Sequence, residues 1–146
     1  MRALPYIVFL LMGISTAQAQ NNSFYLGLSC YLSSKYPEAS GHFAQSVKTA
    51  QPQHKTDIYY LDALCQYFQH NYPQSLKYLD SSAVYRKKYP QQALYFNYED
   101  MLRYRAMNYE KMGNKKKEIS VLQKMVAETK SKWAKERLKA LVSANK

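Results

Sequence analysis

Residues 26–52 read LGLSCYLSSKYPEASGHFAQSVKTAQP, and their spacing decides the fold. Gly27 is followed by Tyr36, Ala39, Phe43 and Ser46, at steps of nine, three, four and three residues. Apolar residues recur at helical spacing from Phe24 to about Lys35, and again from Tyr36 to about Ala50. Pro37 suits the first turn of the second stretch, where a missing N–H costs nothing. Pro52 ends it. The pattern predicts two antiparallel helices that touch where side chains are small, at Gly27, Ala39 and Ser46.

The same unit recurs further on. Thr56 or Asp57 is placed to cap a helix running from about Asp57 to His70. Asn71-Tyr72-Pro73-Gln74-Ser75 then repeats Lys35-Tyr36-Pro37-Glu38-Ala39, 36 residues later. Leu76, Leu79, Ser82 and Ala83 form the inner face of a helix that ends near Lys88, before Pro90. Ala63, counted back from Tyr72, takes the small position of Gly27. Asp62 is the other register, but a buried carboxylate at a helix crossing would need a partner. The third copy reads as one long helix over Gln91–Met112 carrying Ala106, Tyr109 and a stop at Gly113-Asn114. A helix over about Lys115–Glu128 follows, with Ile119, Leu122, Met125 and Val126 inward and Glu118 where a small residue is expected. A last helix, about Ser131–Ser143, presents Trp133, Leu138 and Leu141. The copies thus span about 23–52, 56–88 and 91–128, with a capping helix at about 131–143.

Leu26, Gly27, Tyr36, Ala39, Phe43, Ser46 and Pro52 together resemble the tetratricopeptide repeat, L-G-x-x-Y…Y-x-x-A-x-x-x-F-x-x-A…P. Ala63, Tyr72, Ala106, Tyr109 and Gly113 extend the resemblance to the later copies. It implies an all-α protein, a right-handed superhelix of about three antiparallel helix pairs with a C-terminal capping helix. It also implies a concave groove, lined by the first helix of each pair, that receives a peptide or a partner helix. On that basis Phe24, Leu28, Tyr31 and Leu32 line the groove in the first pair. Tyr60, Leu64, Tyr67 and Phe68 follow in the second, and Arg103, Met107, Glu110 and Lys111 in the third. Tyrosine suits such a surface because it buries area at little entropic cost and keeps a polar tip. Arg103 and Lys111 are expected to meet acidic groups.

The chain opens differently from the repeats. Met1-Arg2 is followed by an apolar run, Tyr6–Ile14, and by Ala17-Gln18-Ala19. This predicts a secretory signal peptide over 1–19, cut after Ala19. The run is short for a bilayer, and no later stretch approaches spanning length. Removing 1–19 takes one charge, Arg2, and leaves a net +10. Residues 20–110 hold 9 Lys+Arg against 7 Asp+Glu, while residues 111–146 hold 11 against 3. The basic character therefore belongs to the C-terminal end. It reads either as a solvated helix face or as a contact for anionic lipid or polysaccharide; export argues against nucleic acid.

Cys30 and Cys65 sit in adjacent pairs. Neighbouring helices lie about 8–10 Å apart and a disulfide needs Cα atoms within about 7 Å, which disfavours a bridge. His42, His54 and His70 lack metal-ligand spacing. No nucleophile elbow, phosphate loop or paired carboxylates occur. The expected protein is an exported, non-enzymatic interaction scaffold without cofactor or metal. The alternatives are an extracytoplasmic sensor module of a regulatory system and a basic surface-binding protein.

Overall fold

The computed structural model describes residues 22–143; the expected leader and its cleavage site lie outside them. The described chain begins in helix over 22–32 (α1). It continues through α2 (Tyr36–Thr49), a 3-10 turn (Pro52–His54), α3 (Lys55–Phe68) and α4 (Tyr72–Lys88). Then come α5 (Tyr98–Lys111), α6 (Lys115–Thr129) and α7 (Lys132–Ser143). The helices form a right-handed array of three antiparallel pairs, with α7 closing it.

One local device repeats at the turn within each pair and at the turn after the third. Ser34, His70, Gly113 and Lys130 all have φ near +60°, from 58° to 69°. Each lies two residues before the next helix. In the three pair turns the following N–H reaches back to close the preceding helix. Lys35 donates to the Cys30 carbonyl (2.8 Å), Asn71 to Gln66 (2.9 Å) and Asn114 to Tyr109 (2.8 Å). These bonds satisfy orphan carbonyls at the helix ends. Only one of the four positions is a glycine, so composition alone hides the repeat.

Small residues mark the crossings. Ala39, Ala63 and Ala106 are all within 1% of fully buried. On α4, Ser75 donates to the Ala63 carbonyl and Ser82 to the Thr56 carbonyl, both at 2.8 Å. Asn108 of α5 donates to Ser75 (3.0 Å), tying three helices through one buried hydroxyl. Gly27 faces Phe43, and a Cβ there would lie 2.8 and 2.9 Å from two ring carbons. Alanine is the better helix former by about 1 kcal/mol. The ring, however, is fully buried, and overpacking a core costs about 1–3 kcal/mol. Gly27→Ala is therefore expected to lose about 1 kcal/mol net, read as a lower urea midpoint at unchanged slope.

Two apolar clusters run through the array. Ala39, Phe43, Ala50, Ile58, Leu61 and Cys65 join the first two pairs. Leu79, Met101, Leu102, Leu122, Met125 and Ala134 belong to the second cluster, which carries the core to α7. Cys30 and Cys65 are both free thiols, and burial pushes Cys65 up to about 12.

Three sequence expectations are corrected. Gln91–Met112 is not one helix: α5 begins at Tyr98, and residues 89–97 run outside regular helix. Asn97 caps α5 by accepting from the Asp100 N–H (3.0 Å), with Glu99 and Asp100 in the first turn. Leu26 is 49% exposed instead of a repeat core position, because α1 is the outermost described helix and packs on one flank only. Neither Thr56 nor Asp57 caps α3, which starts at Lys55; both are buried in its first turn. Glu118 stands at the small position of the third pair, as its spacing predicts. Its carboxylate is buried, and Arg137 of α7 donates to it at 2.9 Å.

Asp62 is buried beside Ala63, with a partner after all. Ser40 of α2 donates to its carboxylate at 2.6 Å, and Gln66 donates to Ser40 at 2.7 Å. Burial pushes the Asp62 carboxyl from 3.8 up to about 6, and the bonds from Ser40 and Gln66 offset only part of that. The folded state thus holds this proton more tightly than the unfolded state. The stabilisation is complete below about pH 4 and is lost as pH rises through about 6. Asp62→Asn is expected to raise stability at pH 7 by up to about 3 kcal/mol, with the gain shrinking toward pH 4. Urea midpoints of both proteins at the two pH values test this.

Candidate partner-binding face

Residues 89–97 decide how much of the inner face is open. The Asp57 carboxylate accepts three backbone N–H groups, from Leu94 (2.7 Å), Tyr95 (2.9 Å) and Phe96 (2.8 Å). The carboxylate is buried, at 7% exposure, in the first turn of α3, where helix polarity also favours negative charge. Pinned this way, the segment leans back over the earlier pairs. Tyr95 packs against Phe24 (centroids 5.9 Å) and Phe96 packs edge-on against Tyr60 (5.5 Å).

This placement corrects two groove residues. Tyr60 and Leu64 are both 5% exposed and belong to the core. The chain's own Phe96 takes the place over Tyr60 where a partner was expected. Burial and the neighbouring Asp100 carboxylate push the Tyr60 hydroxyl well above its ordinary range. Phe24 and Leu28 are half-buried against the first cluster, and Phe24 also touches Phe43 (6.0 Å).

Toward the other end of the same helices the rings stay accessible and form a connected series. Tyr31 meets Tyr36 edge-on (6.0 Å), and Tyr36 stacks on Phe68 (4.6 Å, 19° between planes). Phe68 and Tyr67 both meet Tyr104 edge-on, at 6.3 and 5.3 Å, and Tyr67 reaches Tyr72 at 5.8 Å. Leu32 is 74% exposed at the start of this series and Phe68 is 36% exposed at its middle. Burial pushes the Tyr31 hydroxyl up to about 12, with Tyr104 the next cause; Tyr67 and Tyr104 are also raised, first by burial. Tyr31, Tyr67 and Phe68 were placed here by the resemblance. Tyr104, Tyr36 and Tyr72 were not: Tyr36 and Tyr72 read as turn residues, and nothing in the repeat pattern singles out Tyr104. For Tyr36 and Tyr72 the one visible signal is the recurrence of Tyr-Pro after the first helix of each of the first two pairs.

The charges of the third pair face each other. Arg103 is held by Asp100 (3.0 Å) and Glu99 (3.5 Å) and lies over the Trp133 ring at 5.4 Å. Glu110 is held by Arg137 at 2.7 Å, and Arg105 by Asp80. Met107 is half-buried and Lys111 is exposed at the edge. Arg103 is thus already neutralised within the chain, contrary to the expectation that it meets a partner's acidic groups.

The arrangement defines a class, the helix-pair solenoid. Similar solved structures place it within that class. The N-terminal domain of stress-induced protein-1 (STI-1) from C. elegans is 12% identical, with a TM-score of 0.70 over 86% of this chain and 96% of that one. The TPR2AB-domain:pHSP90 complex of yeast Sti1 is 16% identical, with a TM-score of 0.68 over 88% of this chain and 48% of that one. The first tetratricopeptide domain of Spaghetti (RPAP3), bound to the HSP90 peptide SRMEEVD, is 12% identical, with a TM-score of 0.66 over 87% and 93%. The chain therefore has the tetratricopeptide-repeat fold. No protein-family model and no curated sequence matches it. Among the described residues no helix is long and apolar enough to cross a membrane.

Proposed function

We propose that this protein is an exported, non-enzymatic adaptor that holds a peptide or partner helix on the open aromatic half of its inner face. The ring series from Tyr31 through Phe68 to Tyr104 carries the reading, because it joins all three helix pairs into one surface. Two of the similar structures are complexes with pHSP90 or an HSP90 peptide, which supports ligand binding on this fold. The chemistry favoured here is different from that of SRMEEVD, with its two Glu and its Asp. The arginines of α5 are occupied by the chain's own carboxylates, so an acidic peptide would have to break those pairs. An uncharged segment with apolar or aromatic side chains suits the rings better.

Cross-linking in intact cells followed by mass spectrometry identifies the partner, and its affinity is then measured with purified proteins. The paired substitution Tyr67→Ala and Phe68→Ala is expected to weaken binding at least tenfold, with the helical circular-dichroism signal kept. Unchanged affinity would sink the assignment of this face. Export rests on the leader read from 1–19; a mature chain that begins at Gln20, found by N-terminal sequencing, is the expected result.

A second reading rests on α7. Lys132, Lys135 and Lys139 are exposed at helical spacing on one stripe of that helix. Contact with an anionic lipid or polysaccharide through this stripe would vanish at high salt and survive loss of Tyr67 and Phe68.

A further inference from the structure

The two ends of the array are finished differently. At the C-terminal end α7 turns Lys132, Lys135, Glu136 and Lys139 outward, the charged outer face that a terminal repeat needs for solubility. At the other end α1 has no such face. Residues 22–32 read NSFYLGLSCYL, without one charged side chain, while each of the six later α-helices carries at least two. The exposed stripe of α1 is Asn22, Tyr25, Leu26, Ser29 and Leu32, at helical spacing. Tyr25 is 62% exposed, Leu26 49% and Leu32 74%. The apolar surface continues beyond the helix, because Leu94 and Tyr95, both exposed, line the same recess as Tyr25. Lys35, the next charge along the chain, pairs with Glu38 at 3.8 Å.

Charge and spacing select what covers this face. The chain from Gln20 onward carries a net +10, so two copies repel where their charged faces approach. At α1 they can meet without like charges in contact. This helix also lies at the opposite end of the array from residues 111–146, which hold 11 Lys+Arg against 3 Asp+Glu. A contact between two α1 helices therefore keeps the most basic regions of the two copies apart. The stripe is self-complementary about its centre. Ser29 is small, and Tyr25, Leu26, Leu32 and Ser33 stand four and three residues to either side of it. An antiparallel pair crossing at Ser29 sets Leu26 of each copy against Leu32 of the other, and Tyr25 against Ser33, as a two-fold contact requires.

We propose that a second copy of this chain covers α1, forming a two-fold dimer in which the two helices cross antiparallel at Ser29. A contact between helices about 16 Å long is at the small end of specific interfaces, so the dimer exchanges with the single chain at micromolar concentrations. Tyr31 turns toward Tyr36 (6.0 Å) and is not in the outward stripe, so each copy keeps its own aromatic series. The dimer does not depend on what that series binds.

Sedimentation equilibrium of the chain from Gln20 onward, between about 1 and 200 µM, reads the association. The average mass is expected to rise toward twice that of one chain, with a Kd of about 10–100 µM. Added salt should not weaken it, since no ion pair forms across the contact. Leu26→Lys together with Leu32→Lys sets like charges opposite each other at two exposed positions, and should weaken association at least tenfold. Val84→Lys, at an exposed position of α4, should leave it unchanged. Mixing the lysine variant with Leu26→Glu and Leu32→Glu should restore a dimer, which also shows that both variants fold. A single-chain mass at every concentration overturns the proposal and leaves a helix of another protein as the occupant of α1. Undiminished association of the lysine variant, or association lost at high salt, puts the contact on another face and overturns it too. Failure of the mixture to associate, with both helical circular-dichroism signals kept, overturns the crossing at Ser29.

Discussion

Asp57→Ala is expected to lower folding stability by about 3–5 kcal/mol and to release residues 89–97 from the rest of the molecule. Hydrogen bonds to a charged acceptor contribute about 1.5–3 kcal/mol each. Asp57 makes three, all between 2.7 and 2.9 Å. They are not additive, because losing one loosens the segment that makes the others. The lower end of the range allows for water reaching the freed N–H groups, since Leu94 is 86% exposed. None of these bonds belongs to a helix, so the circular-dichroism signal should be nearly unchanged at room temperature. The amide protons of Leu94, Tyr95 and Phe96 should lose their protection from exchange. Asp57→Asn keeps one acceptor oxygen and should fall between the two proteins. Retained protection of those three amides in the alanine variant would show that the segment is held by its rings and not by the carboxylate.

The same substitution bears on the inner face. Phe96 is the ring that covers Tyr60, at 5.5 Å. Freeing the segment uncovers Tyr60, a position that a tetratricopeptide groove would offer a partner. The wild-type chain therefore presents a shorter face than its repeats could supply.

These details show where sequence ceases to inform. The helix pairs were legible because their causes are local: a Tyr-Pro entry, small residues at the crossings, an apolar stripe at helical spacing. The 89–97 segment was not. Gln91-Gln92-Ala93-Leu94-Tyr95 has ordinary helical composition, and the group that pulls it out of helix is a carboxylate 37 to 39 residues away. Tyr60 failed for the same reason. Its position on α3 follows from spacing, but its burial depends on Phe96, whose path no local pattern encodes. The turn residues Ser34 and His70 adopt a backbone that glycine prefers, held by the helix-closing bonds around them. Leu26 follows the repeat motif, but its burial requires a neighbour on its outer flank.

Glu118 leads to the other large effect. Arg137→Ala is expected to cost about 3 kcal/mol or more at pH 7. The Glu118 carboxylate sits within the crossing of the third pair at 4% exposure, where the repeat pattern calls for a small residue. Arg137 answers it at 2.9 Å and holds Glu110 at 2.7 Å through a second nitrogen. Removing one partner of a buried pair leaves an uncompensated charge, which costs about 3–5 kcal/mol. Arg137 is itself one-third exposed, so some water reaches the freed site and the lower figure applies. The loss should be repaired on the other side of the pair. Glu118→Ala in the Arg137→Ala background removes the stranded charge and restores the small residue, and is expected to recover most of the stability. The double-mutant cycle read from urea midpoints should therefore give a coupling above about 1 kcal/mol. Additive losses would mean that Glu118 is solvated without Arg137. In that case the last helix is held by Ala134, Trp133 and Leu138 against the second cluster alone. With the coupling present, α7 has a task beyond shielding apolar surface: it supplies the cation that lets a carboxylate stand where two helices cross.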